Sequence, residues 1–300
     1  MRPNWSPARL GLACRLTRRC PPSADDSCAR QQCAEAAVRD TVVSSTGSVT
    51  VVPMQRRLLL VFAHPDDESV FAAGVACQTV AEGGHVALCT ATLGEQGKLG
   101  EPPLCARERL GVVRQAELMD ACGVLGISTI RVLGYQDRAL AVAPPGTIRR
   151  QLVEVIRVVR PQVVVTFDPN GSNLHPDHVA ISRFTSDAVA AAADGRWFPD
   201  LGAAHAVSRL AWTLPVRPWD VLRRTDPALE PGADFVLDIA AFADRKAAAL
   251  RSHRTQHLSM ERIFFTKPDV ARLLSVEMFR QAFGPPLVAR PSADLFAGIP

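Results

Sequence analysis

The sequence predicts an α/β fold with a doubly wound, mostly parallel sheet and helices on both faces. Two observations predict it. Continuous apolar runs such as 57–63 and 162–167 are typical of strands that are buried on both sides. Helical stretches separate these runs, so that successive strands run parallel through right-handed crossovers. Together they indicate a Rossmann-like arrangement, whose ligands bind beyond the carboxyl ends of the strands where the strand order reverses.

The predicted elements alternate from residue 57 onward. The predicted strands are 57–63, 86–91, 129–133 and 162–167, with two more near 206–213 and 235–239. The predicted helices are about 70–82, 106–125, 148–159 and 177–192. Gly83 and Gly84 end the first helix, because glycine is a poor helix former.

The domain organisation follows from composition. Residues 1–53 lack sustained periodicity and are rich in Arg, Ser, Cys and Pro, so we expect a disordered N-terminal extension, with Met54 as an alternative start. Residues 54–285 are expected to form the folded α/β domain, and residues 286–300 a C-terminal tail. Seven arginines and four acidic residues in the extension account for +3 of the net charge of +4. The rest of the chain has no basic stripe, so we expect no nucleic-acid partner.

Two further properties concern location. No apolar run approaches the roughly 20 residues that span a bilayer, so we expect no integral membrane segment. The eight cysteines do not form a disulfide scaffold in a chain of 300 residues. We therefore expect a reducing, cytoplasmic location.

Two clusters of ionisable residues follow the first and fourth predicted strands. His64, Asp66 and Asp67 come directly after the first, and His175 and His178 follow the fourth. If the strand order reverses after the first strand, these two strands are neighbours and both clusters face one crevice. A single histidine after a strand is more often structural, and paired aspartates at a turn usually cap a helix. The coincidence of two clusters favours a functional site.

The residue types point to a catalytic metal. Imidazole and carboxylate bind Zn²⁺ where one position must stay open for water, and His64, Asp67 and His178 can supply three ligands. Asp66 would then act as a general base, and His175, as an imidazolium, would stabilise an oxyanion. Fe²⁺ can replace zinc in a cell, because this ligand set does not exclude it.

The two motifs also carry a resemblance to a known family. Ala-His-Pro-Asp-Asp-Glu at 63–68 and His-Pro-Asp-His at 175–178 resemble the signature pair of the PIG-L/LmbE-like zinc de-N-acetylases. The segments 92–97, 114–118, 125–126, 133–137 and 253–256 extend the resemblance over residues 56–257. It implies an LmbE-like three-layer architecture. It also implies that the protein is a hydrolase of linear amides. The implied reaction removes an N-acetyl group from a GlcNAc-type amino-sugar conjugate, and this conjugate is the expected small-molecule partner.

The resemblance implies the same roles for the residues named above, and adds others. It suggests that Glu95, Arg114 and Asp137 contact sugar hydroxyls, and that Asp177 supports a ligand or the base. Arg114 can instead simply pair with Glu117 across one helical turn. Some thiol-pathway members have a tyrosine just before the second motif, where this chain has Ser-Asn-Leu at 172–174. This difference argues against that subgroup.

Several alternatives stay open. The chain can be an amidase that cleaves a larger acyl group from a glucosamine conjugate, or a non-catalytic binding member of the family. A nucleotide-binding module is disfavoured, because the loop after the first strand lacks GxGxxG. The loop 96–104 and the stretch 194–224, with Trp197, Trp212 and Trp219, are the expected rims for the aglycone. The oligomeric state is open, a homo-oligomer included.

Overall fold

The computed structural model describes residues 41–43, 49–51, 55–214 and 232–300. The chain divides into two compact units, residues 1–53 and 54–300. In the first unit, strands β1 (Thr41–Val43) and β2 (Val49–Val51) pair antiparallel. The predicted disorder of residues 1–53 and the alternative start at Met54 otherwise fall outside the described residues.

The second unit alternates strands and helices. Its strands are β3 (Arg57–Phe62), β4 (His85–Thr92), β5 (Thr129–Tyr135), β6 (Val163–Phe167), β7 (Arg209–Leu214), β8 (Phe235–Asp238) and β9 (Val276–Phe283). Its helices are α1 (Asp67–Phe71), α2 (Ala73–Ala81), α3 (Leu110–Leu125), α4 (Pro145–Val159), α5 (Gly171–Leu174), α6 (Pro176–Ala192), α7 (Ala243–Ser252), α8 (His257–Met260) and α9 (Val270–Ser275). A π-helix, Glu261–Phe265, continues α8. Within the described ranges, no helix is both long and apolar enough to cross a bilayer.

The seven strands of this unit form one sheet in the order β5-β4-β3-β6-β7-β9-β8. Neighbours from β5 to β7 are parallel, whereas β9 runs antiparallel to both β7 and β8. Helices α2, α3 and α7 pack on one another, and α4 packs on α6. The predicted α/β class, with a mostly parallel sheet between helices, is confirmed.

The strand order reverses between β3 and β6. The chain moves outward from β3 to β5 and then returns to the other side of β3, where Leu58 pairs with Val163 and Leu60 with Val165. The carboxyl ends of these two strands are therefore adjacent. Both motif clusters follow them, so the two clusters meet at one edge of the sheet, as the sequence predicts.

Apolar burial holds this edge rigid. Every residue of β3 from Leu58 to Phe62 is fully buried, and burying such a side chain stabilises the fold by about 1.5–3 kcal/mol. The rings of Phe62 and Phe167, the last residues of β3 and β6, lie 5.0 Å apart between centroids. The two loops therefore start from a packed base.

The structure corrects the prediction of one helix over 70–82. Ala72, with φ −145°, interrupts it, and α2 begins anew at Ala73. The carboxylate of Glu277 on β9 accepts hydrogen bonds from the backbone N–H groups of Gly74 (2.8 Å) and Val75 (2.9 Å). A carboxylate at a helix N-terminus is stabilising, because it satisfies free N–H groups and complements the helix dipole. This cap comes from two hundred residues away, and the sequence analysis did not predict β9 at all.

The C-terminal residues, set apart from the domain in the sequence analysis, contribute to its core. Leu295 and Phe296 are buried in the main hydrophobic cluster. The fully buried Arg209 on β7 donates hydrogen bonds to the carbonyl oxygens of Leu295 and Ala297. The segment thus packs on the domain through apolar contacts and through the guanidinium of β7.

We expect Lys246→Met to destabilise the domain by about 3–5 kcal/mol. The Lys246 ammonium lies 2.8 Å from a Glu277 oxygen and both side chains are 2% exposed, so removing the cation leaves a buried carboxylate without its counter-charge. Urea unfolding measures the change. Arg196→Met is the control, since it removes an ion pair whose arginine is 91% exposed, and its unfolding midpoint should not move. Equal midpoints for both variants would contradict the prediction.

Candidate active site

The two loops bring imidazole and carboxylate groups together. His64 Nδ1 lies 3.2 Å from His178 Nε2. The two oxygens of Asp67 lie 3.7 Å from His64 Nδ1 and 3.4 Å from His178 Nε2. All three side chains are buried. The backbone N–H of His64 donates to Asp67 at 2.8 Å, which orients the carboxylate toward the two rings.

These separations fit a divalent metal. Ligands about 2.0–2.1 Å from a tetrahedral ion stand roughly 3.3 Å from one another. The facing nitrogens of His64 and His178 have nearly this spacing, and each lies at a similar distance from a different oxygen of Asp67. They also form the type of ligand set that catalytic zinc sites use, with two imidazoles and one carboxylate.

The orientation of His178 is set by its surroundings. Its Nδ1–H donates to the carbonyl oxygen of Gly171 at 3.1 Å, which leaves Nε2 free to bind a metal. Its ring stacks on Phe167, with centroids 4.0 Å apart and planes 4° from parallel. Gly171 has φ +63°, and a Cβ there would stand 2.7 Å from that of His178. The position therefore requires glycine. Burial, and next the charge of His64, lower the pKa of His178 to about 4, so this ring is neutral.

The other nitrogen of His64 faces two more carboxylates. Its Nε2 lies 3.1 Å from Asp137 and 3.3 Å from Asp177. Asp177 is fully buried and accepts from the backbone N–H groups of Arg138 and Leu140. Burial alone would lower the pKa of His64, but hydrogen bonds with Asp137 and Asp177 and the charge of Asp67 raise it to about 10. Three carboxylates around this ring make the site strongly attractive to a cation.

The described residues also contain two other groups with metal-ligand spacing. One consists of His64, His175 and His178, and the other of His64, Asp137 and Asp177. Both include residues of the predicted site. Asp177, which is predicted to support a ligand or the base, contacts His64, and its role stays a prediction.

Asp66 has surroundings different from those of Asp67. Its carboxylate accepts from Arg114 Nη2 at 3.0 Å and remains 18% exposed at the pocket. Its backbone is left-handed, with φ 107°, a region that non-glycine residues occupy at a cost of roughly 1–3 kcal/mol. Burial raises the pKa of Asp66 to about 6, although the charge of Arg114 opposes the increase. Burial raises the pKa of Asp67 to about 6 as well, so the contact with Arg114 and the exposure at the pocket, rather than the pKa, set Asp66 apart for proton transfer.

His175 lines the same pocket as the two aspartates. Its ring centroid is 4.9 Å from those of His64 and His178. Its Nδ1 accepts from the backbone N–H of Asp177 at 3.2 Å, so the neutral ring carries its hydrogen on Nε2. Burial, and then the charges of His64 and His178, lower the pKa of His175. The accepting Nδ1 and the direction of this shift favour a neutral ring that can donate from Nε2, and the imidazolium role of His175 stays a prediction.

The three predicted sugar-binding residues join neighbouring loops. Glu95 accepts from the backbone N–H of Asp137 at 2.8 Å, and Asp137 accepts from that of Gln96 at 2.9 Å. Arg114 also donates to the carbonyl oxygens of Pro65 and Gly94. Asp137 and Arg114 line the pocket, so their contact with substrate stays a prediction. Glu95 lies behind Asp137 and supports it.

Arg114 and Glu117 do not form the ion pair across one helical turn that was the alternative to a sugar contact. Glu117 accepts instead from the backbone N–H of Thr255 at 2.8 Å and from its hydroxyl at 2.7 Å. Both residues of α3 therefore make contacts distant in sequence, one to the loop after β3 and the other to the segment after α7.

The pocket has a volume of about 270 Å³ and a wall that the sequence analysis missed. Gln256, Ser259 and Met260, followed by Arg262 and Ile263 of the π-helix, line one side. Single π-helical turns that interrupt or extend α-helices are frequent at functional sites. The 253–256 motif was the only sequence signal for this wall.

Gln96 and Gly97 of the predicted rim line this pocket, whereas Trp212 lines a separate cavity between α6 and β7. Trp197 packs under Arg149, and Trp219 lies outside the described residues.

Comparison with known proteins identifies the family. The family model described as "PIG-L: GlcNAc-PI de-N-acetylase" matches residues 59–189, a segment that contains both motifs. A Streptomyces griseus protein named 1D-myo-inositol 2-acetamido-2-deoxy-alpha-D-glucopyranoside deacetylase is 37% identical over 82% of this chain and 89% of its own. The chain belongs to the PIG-L family of de-N-acetylases. The predicted class, a hydrolase that removes an N-acetyl group from an amino-sugar conjugate, is confirmed.

Solved structures confirm the PIG-L fold. The N,N'-diacetylchitobiose deacetylase of Pyrococcus horikoshii has a TM-score of 0.60 and 20% identity, over 75% of this chain and 83% of its own. GalB of Pseudomonas putida KT2440, a 4-carboxy-2-hydroxymuconate hydratase, has a TM-score of 0.59 and 19% identity, over 79% and 99%. Because one fold carries both activities, the fold alone does not decide the reaction.

Proposed function

We propose that this PIG-L member is a zinc-dependent hydrolase that removes acetate from a GlcNAc-inositol type of conjugate. The observation that carries the metal chemistry is the convergence of His64 Nδ1, His178 Nε2 and the Asp67 carboxylate at 3.2–3.7 Å, beside the separate carboxylate of Asp66. The name of the Streptomyces relative supports the substrate class. Fe²⁺ is a second candidate ion for the same ligands.

Asp66 and Asp67 have different proposed roles because their contacts differ. When bound by His64, Asp67 and His178, zinc would supply Lewis-acid polarisation of the acetyl carbonyl and a lowered water pKa. Asp66 is left to act as the base, because its carboxylate lies outside this set and is held by Arg114. It accepts a proton from the attacking water and passes it to the leaving nitrogen. The amide C–N bond breaks, and acetate and a free amine are released.

His175 contributes to the same step as a hydrogen-bond donor. With Nδ1 accepting from the peptide N–H of Asp177, its Nε2–H is available as a donor. A neutral donor stabilises the oxygen on which negative charge develops, without transferring its own proton. We therefore assign His175 to the oxyanion, and Asp66 alone to proton transfer.

The size and lining of the pocket fit one amino sugar. Its volume of about 270 Å³ lies near the lower end of ligand pockets, which span about 300–1,000 Å³. Gln96, Asp137 and Asn173 offer hydrogen-bonding groups for sugar hydroxyls, while Met260 and Ile263 offer apolar surface. The aglycone would then lie at the outer rim, against the π-helix wall.

Location stays a proposal as well. The four described cysteines, Cys77, Cys89, Cys105 and Cys122, are all free thiols. Free buried thiols are common in proteins of reducing compartments, which supports the proposed cytoplasmic location.

We expect acetate release from GlcNAc-inositol to be at least about 10²-fold faster, in kcat/KM, than release from a simple N-acetyl amine. Sugar contacts contribute binding energy that a plain acetamide lacks. Zinc-loaded full-length protein is assayed with both substrates, and with a glucosamine conjugate that carries a longer N-acyl group. Equal turnover of GlcNAc-inositol and the simple amine would contradict amino-sugar recognition. A preference for the longer acyl group would favour the amidase alternative.

A further inference from the structure

The backbone of Asp66 needs to be held in place. Its φ of 107° is a conformation that a residue with a Cβ adopts only when its surroundings enforce it. The carboxylate that this conformation presents is the proposed base. Whatever holds the turn therefore also sets where the base stands.

The group that holds it is the carboxylate of Glu68. Glu68 Oε2 accepts a hydrogen bond from the backbone N–H of Asp66 at 3.0 Å. Its other oxygen, Oε1, accepts from Ser69 Oγ at 2.6 Å and lies 2.8 Å from His253 Nε2. Glu68, Ser69 and His253 are all fully buried.

His253 ties this turn to the rest of the domain. It directly follows α7, and two residues later Thr255 is held by Glu117 of α3 through two hydrogen bonds. The same helix α3 carries Arg114, which holds the Asp66 carboxylate. The backbone amide and the carboxylate of Asp66 are thus fixed by groups that converge from α1, α7 and α3.

We infer that the buried Glu68–His253 pair is a positioning device that holds the proposed base Asp66 in its reactive orientation. This inference rests on the proposed function. The simpler reading is that the pair only stabilises the fold, as a buried pair of the same length does between Lys246 and Glu277.

The test compares Glu68→Ala and Glu68→Gln in full-length, metal-loaded protein. We expect Glu68→Ala to lower kcat about 10–100-fold with little change in KM or in metal content, because a displaced base slows the reaction without weakening binding. Glu68→Gln should retain most of the activity, since its amide oxygen can still accept from the Asp66 N–H. If Glu68→Ala does not fold, His253→Leu replaces it, and the same quantities, kcat, KM and metal content, are measured.

A double-mutant cycle separates positioning from stability. In an Asp66→Asn background, Glu68→Ala should cause almost no further loss of kcat, because the base that it positions is already gone. Hydrogen exchange of the Asp66 amide gives a readout independent of turnover. It should speed up in Glu68→Ala by more than the measured loss of global stability accounts for, whereas in Lys246→Met, which breaks the other buried pair, it should speed up no more than that loss.

The outcomes are distinguishable. Unchanged kcat in Glu68→Ala, or an equal fold loss in both backgrounds, would overturn the positioning inference while leaving the base intact. Full activity of Asp66→Asn itself would instead overturn the proposed mechanism on which the inference rests.

Discussion

Asp66→Asn is expected to lower kcat by about 10²–10⁴-fold while the metal content of the protein stays unchanged. The amide cannot accept the proton that the carboxylate takes from water. The metal is expected to remain, because the three facing ligand atoms belong to His64, Asp67 and His178, whereas Asp66 is paired with Arg114. Steady-state kinetics and elemental analysis of the same preparation measure both quantities.

Asp67→Asn is the matched comparison, since it makes the same chemical change one residue along the chain. It should lose metal together with activity, because the Asp67 oxygens face both histidines. If Asp66→Asn released the metal and Asp67→Asn kept it, Asp66 would be the metal ligand and Asp67 the base, contrary to the proposal.

His178→Ala is expected to lower the metal affinity by more than about 10–100-fold. That loss is typical when only a hydrogen-bond partner of a metal ligand is removed, whereas His178 is itself a proposed ligand. It removes a neutral imidazole whose Nε2 lies 3.2 Å from His64 Nδ1 and whose ring packs on Phe167. Competition with a chelator of known affinity measures the change. Loss of zinc should also lower the melting temperature, because the bound ion stabilises the native state by mass action.

His85→Ala serves as the control for this loss. His85 lies at the start of β4, away from the site, where its Nε2 contacts the Thr129 hydroxyl. Its removal should leave metal affinity unchanged. Undiminished metal content in both His64→Ala and His178→Ala would refute the metal site.

Long apolar strands were predictable because burial on both faces leaves a continuous pattern. β3 and β6 were predicted within a residue of their observed ends. β9 was not, because only two of its eight residues, Glu277 and Phe279, are buried, and one of these two is charged. Its carboxylate is neutralised by Lys246 of α7, a partner that no local pattern reveals. The break before α2 depends on the same carboxylate and was missed for the same reason.

The sequence by itself determined the parallel sheet, the two histidine–aspartate clusters and, through its motifs, the family, and it predicted the metal ligands. Each of these depends on residues close together in the chain, or on the rule that parallel strands place their following loops at one edge. Only the tertiary structure decided the contacts of Arg114, Glu68 and His253, and the π-helix wall of the pocket. These contacts join segments about fifty to two hundred residues apart. Their geometry depends on how α3 and α7 pack, and the apolar pattern of a helix specifies which face is buried but not which partner it meets.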